Sequence, residues 1–385
     1  MIYADYNGSS PMLGPVREYV RKRLDSDLFA NPNAIHSLGQ KLYGGIEKSR
    51  KLIAESVGCY PDQVFFNSGA SEGISQILHS ILDQADQSKT IIISSPIEHS
   101  MVPNALSYYE NHRGFRVEKL EVDRTGVVQL SSLEKLLEKH KGAVALVTLM
   151  AVNNETGVFQ PYEEVARLCR LHQVEYFCDT TQLIGKAEFH FERSGLDYAV
   201  CSGHKLGALT GTGFFISRSP SRIKPIVFGS IQERGQRGGT QHYLGIETLA
   251  IALHDFTSLA QNLKNLEKEK LKFETQIKAA YPQAVIVGEE AKRLAGTTMI
   301  GYPGLHGQAV QIELESNDIF VTTSAACSDN QPETSKVLKA MGIDDQLGRG
   351  VIRISLSYQQ GEKEYAAITH ALKSAYAKLT KIHSY

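Results

Sequence analysis

Val174-Glu175-Tyr176-Phe177-Cys178-Asp179 ends an apolar run on a carboxylate, and Tyr198-Ala199-Val200-Cys201-Ser202-Gly203-His204-Lys205 ends a second apolar run on an amine. Both runs are too short for stable helices. They read as buried strands that each deliver a polar residue at the C-terminal end. Upstream, the chain alternates helical patterns with short apolar runs. Residues 45–57, 72–83, 103–112 and 162–172 read as helices. Residues 63–66, 90–94, 143–149 and 213–217 read as strands. This alternation predicts an α/β domain with a mostly parallel sheet.

Downstream the pattern changes. Residues 256–280, rich in Lys, Glu and Leu, predict one long amphipathic helix. Strands at 284–287 and 298–300 then mix with helices at 307–314, 333–341 and 361–382, which predicts a smaller α+β domain. The expected division is an N-terminal segment, residues 1–14, that packs with the small domain; a large domain, residues 15–256; and a small C-terminal domain, residues 257–385.

With 385 residues and 42% hydrophobic content, the chain can fill a substantial core. Its 41 basic and 42 acidic side chains leave a net charge of −1, so no basic field is available for nucleic acid or an anionic membrane. Met1 to Asp5 reads as a strand rather than a signal segment, and no apolar run is long enough to span a membrane. Five cysteines, at 59, 169, 178, 201 and 327, form no CxxC pair, which suits a reducing cytoplasm and argues against a zinc or disulfide framework. Cys327 stands apart from the other four, in a small, polar, loop-like stretch.

An acid and an amine at two strand ends match the needs of pyridoxal phosphate (PLP): an amine to hold the aldehyde and a carboxylate for the pyridine nitrogen. The Phe66-Asn67-Ser68-Gly69-Ala70-Ser71-Glu72-Gly73 stretch follows a strand and opens a helix. Its small residues and helix N-terminus can close on a phosphate, although a plain Ser N-cap would look similar. Neither a P-loop nor the dinucleotide glycine fingerprint is present, which disfavours a nucleotide or nicotinamide enzyme.

Ten blocks in order resemble the class V, NifS-like branch of the fold-type I PLP enzymes, and more narrowly the group I cysteine desulfurases. They run from Asp5-Tyr6-Asn7-Gly8-Ser9-Ser10-Pro11 and Asn31-Pro32-Asn33-Ala34-Ile35-His36-Ser37 through Ser68-Gly69-Ala70-Ser71-Glu72, Glu98-His99 and the 152–161 block. Asp179-Thr180-Thr181-Gln182-Leu183-Ile184-Gly185-Lys186, Ser202-Gly203-His204-Lys205, the 232–240 block, Ser324-Ala325-Ala326-Cys327-Ser328 and the 349–356 block complete the set. The resemblance implies a mostly parallel seven-stranded sheet in the large domain and a homodimer with shared active sites. It also implies conversion of L-cysteine to L-alanine, with the sulfur held as an enzyme persulfide and passed to an acceptor protein in iron–sulfur or thio-cofactor and tRNA biosynthesis.

The resemblance also distributes roles. Lys205 is expected to bind PLP covalently and move protons, Asp179 to bond the ring nitrogen, His99 to stack on the ring and Gln182 to reach its phenolic oxygen. Ser71, Ser202, His204 and the Ala70 backbone are expected at the phosphate. Thr240 is expected to reach the phosphate in the partner subunit. Arg353 and Asn154 are expected to take the substrate carboxylate, and Cys327 to be the sulfur nucleophile. No metal is expected. Some positions depart from the family pattern: Gly8-Ser9-Ser10 stands for Ala-Thr-Thr, Ser324 for Gly, Leu209-Thr210 for Pro-Lys, and Thr180 is expected to narrow the pocket beside the ring. The alternatives are selenocysteine or cystine C–S lysis on the same fold, and a non-catalytic PLP-binding scaffold.

Overall fold

The computed structural model describes residues 1–323 and 333–382. A short strand β1 (Ile2–Tyr3) opens the chain. The main sheet follows, with β2 (Val64–Asn67), β3 (Ile91–Ser94), β4 (Arg116–Lys119), β5 (Val144–Thr148), β6 (Glu175–Cys178), β7 (Tyr198–Ser202) and β8 (Gly213–Ser217). Its order is β2-β8-β7-β6-β5-β3-β4. β8 runs antiparallel to both neighbours and every other pairing is parallel. β2, β3, β5, β7 and β8 are buried along their whole length, which is why they read as continuous apolar runs rather than alternating ones. β4, with sequence RVEK, was not legible as a strand. It sits at the sheet edge, where charged side chains reach solvent and block further pairing.

The expected single helix over 256–280 is instead two helices, Tyr243–Leu259 and Asn262–Ala280. They part because they serve different cores. Ile246, Leu249 and Leu253 pack into the cluster beneath the main sheet, beside the helix Ser37–Val57. Leu266, Phe273 and Ile277 belong to a second cluster with Ile300, Ile352, Ile354 and Leu372. The two helices meet at Ala260–Gln261, where the buried side chains pass from the first cluster to the second.

The second cluster lies on an antiparallel sheet of β9 (Val285–Ile286), β10 (Thr297–Gly301), β12 (Thr322–Thr323) and β13 (Val351–Ser355), in the order β12-β13-β10-β9. The N-terminus joins it. β1 pairs in parallel with β11 (Ile319–Phe320), Ala4 is fully buried in this cluster, and Asp5 bridges to Ser355 at the end of β13. Residues 5–10 are thereby strapped from the second sheet across to Lys205. No helix among the described residues is long and apolar enough to cross a membrane.

Candidate active site

The parallel strands of the main sheet all end on one side, and a cleft of ≈ 1610 Å³, counted with the solvent at its mouth, opens there. This is the position where open α/β sheets place ligands. Asp179 follows β6 immediately and is 6% exposed. Its Oδ1 accepts from the Thr181 backbone N–H at 2.9 Å, which fixes the carboxylate at the cleft floor. Lys205 comes from the end of the neighbouring parallel strand. It sits in the one-turn helix Gly203–Leu206 directly after β7, and its Nζ donates to the Asn7 carbonyl at 2.8 Å and to the Gly8 carbonyl.

At one end, β2 passes into the helix Ala70–Leu82 through Ser68 and Gly69. Gly69 has φ 148°, and a Cβ there would lie 3.2 Å from Ser202 Oγ. Glycine therefore satisfies the backbone turn and the close approach to β7 together. Ala70, Ser71, Ser202 and His204 line the cleft around this helix start. Its backbone N–H groups and dipole favour an anion. The His204 Nδ1 lies 3.1 Å from Ser9 Oγ. Burial, then Lys205 and Lys186, lower the His204 pKa to about 4, so near neutral pH it offers a neutral N–H rather than a cation.

His99 is exposed on the cleft wall, and its Nδ1 accepts from the Met101 N–H at 3.3 Å. Gln182 also lines the cleft. Its Nε2 donates to the Asn7 carbonyl at 2.9 Å, and its Oε1 accepts from Lys186 at 2.6 Å. Arg353 reaches in from β13. Its Nη1 donates to the Asn154 carbonyl at 2.8 Å and its Nη2 to Asp5 Oδ1 at 2.6 Å. Thr240 is exposed and does not line this cleft. Cys327 and Ser324 lie outside the described residues. Leu209 and Thr210 lie just after the Lys205 turn, where the Leu209 carbonyl accepts from Thr212 Oγ1 at 2.7 Å.

Thr180 corrects an expectation. It is fully buried and gives its hydroxyl to the Val200 carbonyl at 2.7 Å, so it ties β6 to β7 and does not line the cleft. Its neighbour Thr181 lines the cleft instead. The one-residue alternation at a strand end decides which of the two faces the opening.

Two carboxyls and an amine were passed over as site residues although they stand in the quoted motifs. Glu98 is buried on the cleft wall. Its Oε1 accepts from Ser95 Oγ and the Met150 N–H, and its Oε2 has no partner among the described residues. Burial raises its pKa to about 7, with Asp179 adding repulsion. Glu155 also lines the cleft and is raised to about 7, again by burial. Lys186 donates to Tyr6 O at 3.2 Å, Asn7 Oδ1 at 2.9 Å and Gln182 Oε1 at 2.6 Å. Burial, followed by Lys205 and Arg353, pushes its pKa well below the usual lysine value. For Lys186 the available signal was a charge directly after the apolar Leu183-Ile184-Gly185; Glu98 and Glu155 carry no such signal beyond their place in the motifs.

An amine, a buried carboxylate, a helix start that favours an anion and a guanidinium meet around one cleft. The class-V aminotransferase family model matches residues 2–367, and the chain belongs to that family. Cysteine desulfurase 2 of Trichormus variabilis is 31% identical over 386 residues, covering 99% of this chain and 94% of that one. A solved NifS-like protein superimposes with TM-score 0.89 at 32% identity, covering 98% of this chain and 100% of that one. A structure described as SspA in complex with cysteine matches with TM-score 0.81 at 27% identity, over 93% of this chain and 99% of that one.

Proposed function

We infer that this chain is a PLP-dependent cysteine desulfurase that converts L-cysteine to L-alanine and keeps the sulfur as a persulfide for transfer. The observation that carries this reading is the placement of Lys205, Asp179 and Arg353 around one cleft, with Lys205 and Arg353 both bonded to the strap at residues 5–8. The residues fit the cofactor. The small Ser68–Ser71 turn suits its phosphate, Asp179 its ring nitrogen and Lys205 its aldehyde, with His99 and Gln182 at the ring. When bound, PLP supplies an electron sink for charge developing at the substrate Cα.

Asp179 holds a proton at the ring nitrogen by charge-assisted bonding. Lys205, freed by the incoming substrate amine, takes the proton from Cα and returns it elsewhere. Arg353, with Asn154 beside it, orients the substrate carboxylate so that the Cα–H bond faces Lys205. Cys327 supplies the thiolate. A sulfur–sulfur bond forms as the Cβ–S bond breaks, the electron pair stays with carbon, and protonation at Cβ gives alanine. The other four cysteines cannot easily take this role. Cys169, Cys178 and Cys201 are buried with pKa values raised by burial, and Cys59, partly buried, is raised to about 12.

Thr240 fits a partner subunit's phosphate, because it is exposed away from its own cleft. The chain then works as a homodimer with shared sites, and the N-terminal segment joins the two domains, its first residues on the C-terminal one and residues 10–13 on the large one. Free thiols suit a reducing cytoplasm. The persulfide passes to an acceptor protein. The test measures alanine and protein-bound sulfur formed from L-cysteine. Wild type should form both, and Cys327→Ala should retain the cofactor's visible band but form no persulfide. Undiminished alanine and sulfur release by Cys327→Ala would sink the mechanism.

A further inference from the structure

Arg353 is engaged by groups of its own chain. One guanidinium nitrogen holds the Asn154 carbonyl at 2.8 Å and another holds Asp5 Oδ1 at 2.6 Å, while the buried Nε has no partner among the described residues. A guanidinium grips a carboxylate best through two parallel N–H bonds. Asp5 makes only one bond to it, through Oδ1, and its side chain is about a quarter exposed (25%), against 9% for Arg353. The ion pair therefore has a fixed half and a half free to withdraw.

Gly8 decides whether Asp5 can reach this position. A Cβ on residue 8 would lie 2.3 Å from Asp5 Oδ2, 2.8 Å from its Cγ and 2.9 Å from Oδ1. The Gly8 and Ser9 N–H groups both donate to the Asp5 carbonyl, at 3.0 and 3.2 Å, so the turn holds residue 8 directly over the carboxylate. Any side chain at residue 8 would displace the carboxylate from its present rotamer. Residue 8 is also the position at which this chain has glycine where the resemblance expects alanine.

We propose that Asp5 is a resident competitor of the substrate carboxylate for Arg353, and that Gly8 provides the space that lets it compete. The inference rests on the reading of Arg353 as the carboxylate anchor. Two carboxylates on one guanidinium repel each other, so an amino acid that binds here displaces Asp5 toward solvent and its affinity is lowered by the cost of that displacement. The device sets the substrate level at which the enzyme half-saturates and leaves the chemical step unaltered.

The test uses the cofactor-loaded enzyme with three ligands: L-cysteine for KM and kcat, and L-alanine and cysteamine for dissociation constants from the change in the visible spectrum. Asp5→Asn should lower KM for L-cysteine and the dissociation constant for L-alanine about two- to fivefold, the range expected for a partly exposed ion pair, with kcat little changed. Gly8→Ala, which moves the carboxylate without removing it, should act in the same direction. Cysteamine, which has no carboxylate, should bind all forms alike. Unchanged or weaker alanine binding in both variants overturns the proposal, and weaker binding would make Asp5 a support for Arg353 instead. Arg353→Lys separates the two readings. If it fails to weaken alanine relative to cysteamine, the carboxylate anchor itself is wrong. If it does weaken alanine while Asp5→Asn changes nothing, only the competitor is wrong.

Discussion

At the scale of single residues, the site is dominated by ionisable groups withdrawn from water. Glu98 is the clearest. It is buried, its Oε2 is unpartnered among the described residues, and burial raises its pKa from 4.5 to about 7. A carboxyl whose folded pKa is raised is stabilised in its protonated form. Its contribution is complete below about pH 4.5 and is lost as pH rises through about 7, because the folded state then binds more protons than the unfolded one. The full effect is on the order of 3 kcal/mol. Glu98→Gln mimics the protonated form, so its stability relative to wild type should rise between about pH 5 and about pH 8. Urea unfolding at the two pH values measures this, and a pH-independent difference would remove Glu98 as the cause. Lys186 makes a second case. Its three acceptors lie on Tyr6, Asn7 and Gln182, so Lys186→Met should strand them and loosen the strap that meets Lys205. The expected loss is about 1–3 kcal/mol, read as a lower melting temperature together with faster proteolysis near residues 5–10.

At the scale of elements, the turn between β2 and the helix Ala70–Leu82 joins sheet to phosphate site. Gly69→Ala should destabilise by about 1–3 kcal/mol, because alanine is strained at φ 148° and its Cβ would crowd Ser202 Oγ. The same substitution should weaken cofactor retention, which dialysis followed by the visible spectrum would report. Normal retention would show that the turn tolerates a side chain. The elements differ in how plainly the sequence announces them. Strands buried on both faces, such as β5 and β7, were legible because nothing polar interrupts them, and Gly213–Ser217 was placed to the residue. β4 was not, because an edge strand can be charged throughout. The helix break near residue 260 was also hidden, since Leu and Lys spacing is helical on both sides and only the change of core interrupts it. The site reads more fully than the fold around it. Asp179, Lys205 and Arg353 end up around one cleft, but Thr180 shows that identity in a motif does not reveal which way a strand-end side chain faces.

At the scale of the molecule, large apolar side chains stand exposed at several places, and four of them fall near two of the motifs. Phe228 and Ile231, 82% and 78% exposed, flank Gly229-Ser230, and Ile35 at 95% and Leu38 at 48% stand just before and within the first turn of the helix Ser37–Val57. Isolated exposed residues would need no explanation, but these lie on the two segments that also carry the motifs at residues 31–37 and 232–240. The segment bearing Thr240 is built firmly from below. Glu233, in a left-handed conformation at φ 47°, is fully buried against Arg50 through bonds of 2.8 and 2.9 Å, and it also accepts the Phe66 N–H at 2.9 Å. Burial alone would raise the Glu233 pKa, yet Arg50 and these N–H groups hold it below the usual value. On the proposal that Thr240 serves the phosphate of a partner subunit, this surface would lie between the two copies. Ile231→Asp combined with Phe228→Asp should therefore yield monomers by light scattering and lose cofactor on dilution, while circular dichroism stays native. Arg50→Met should reach the same loss from the inside. It leaves the Glu233 charge buried and unpaired, at a cost of about 3–5 kcal/mol, and releases the Thr240 segment. If the double aspartate variant stays dimeric and holds its cofactor, this face is not the shared one and Thr240 does not serve a second site.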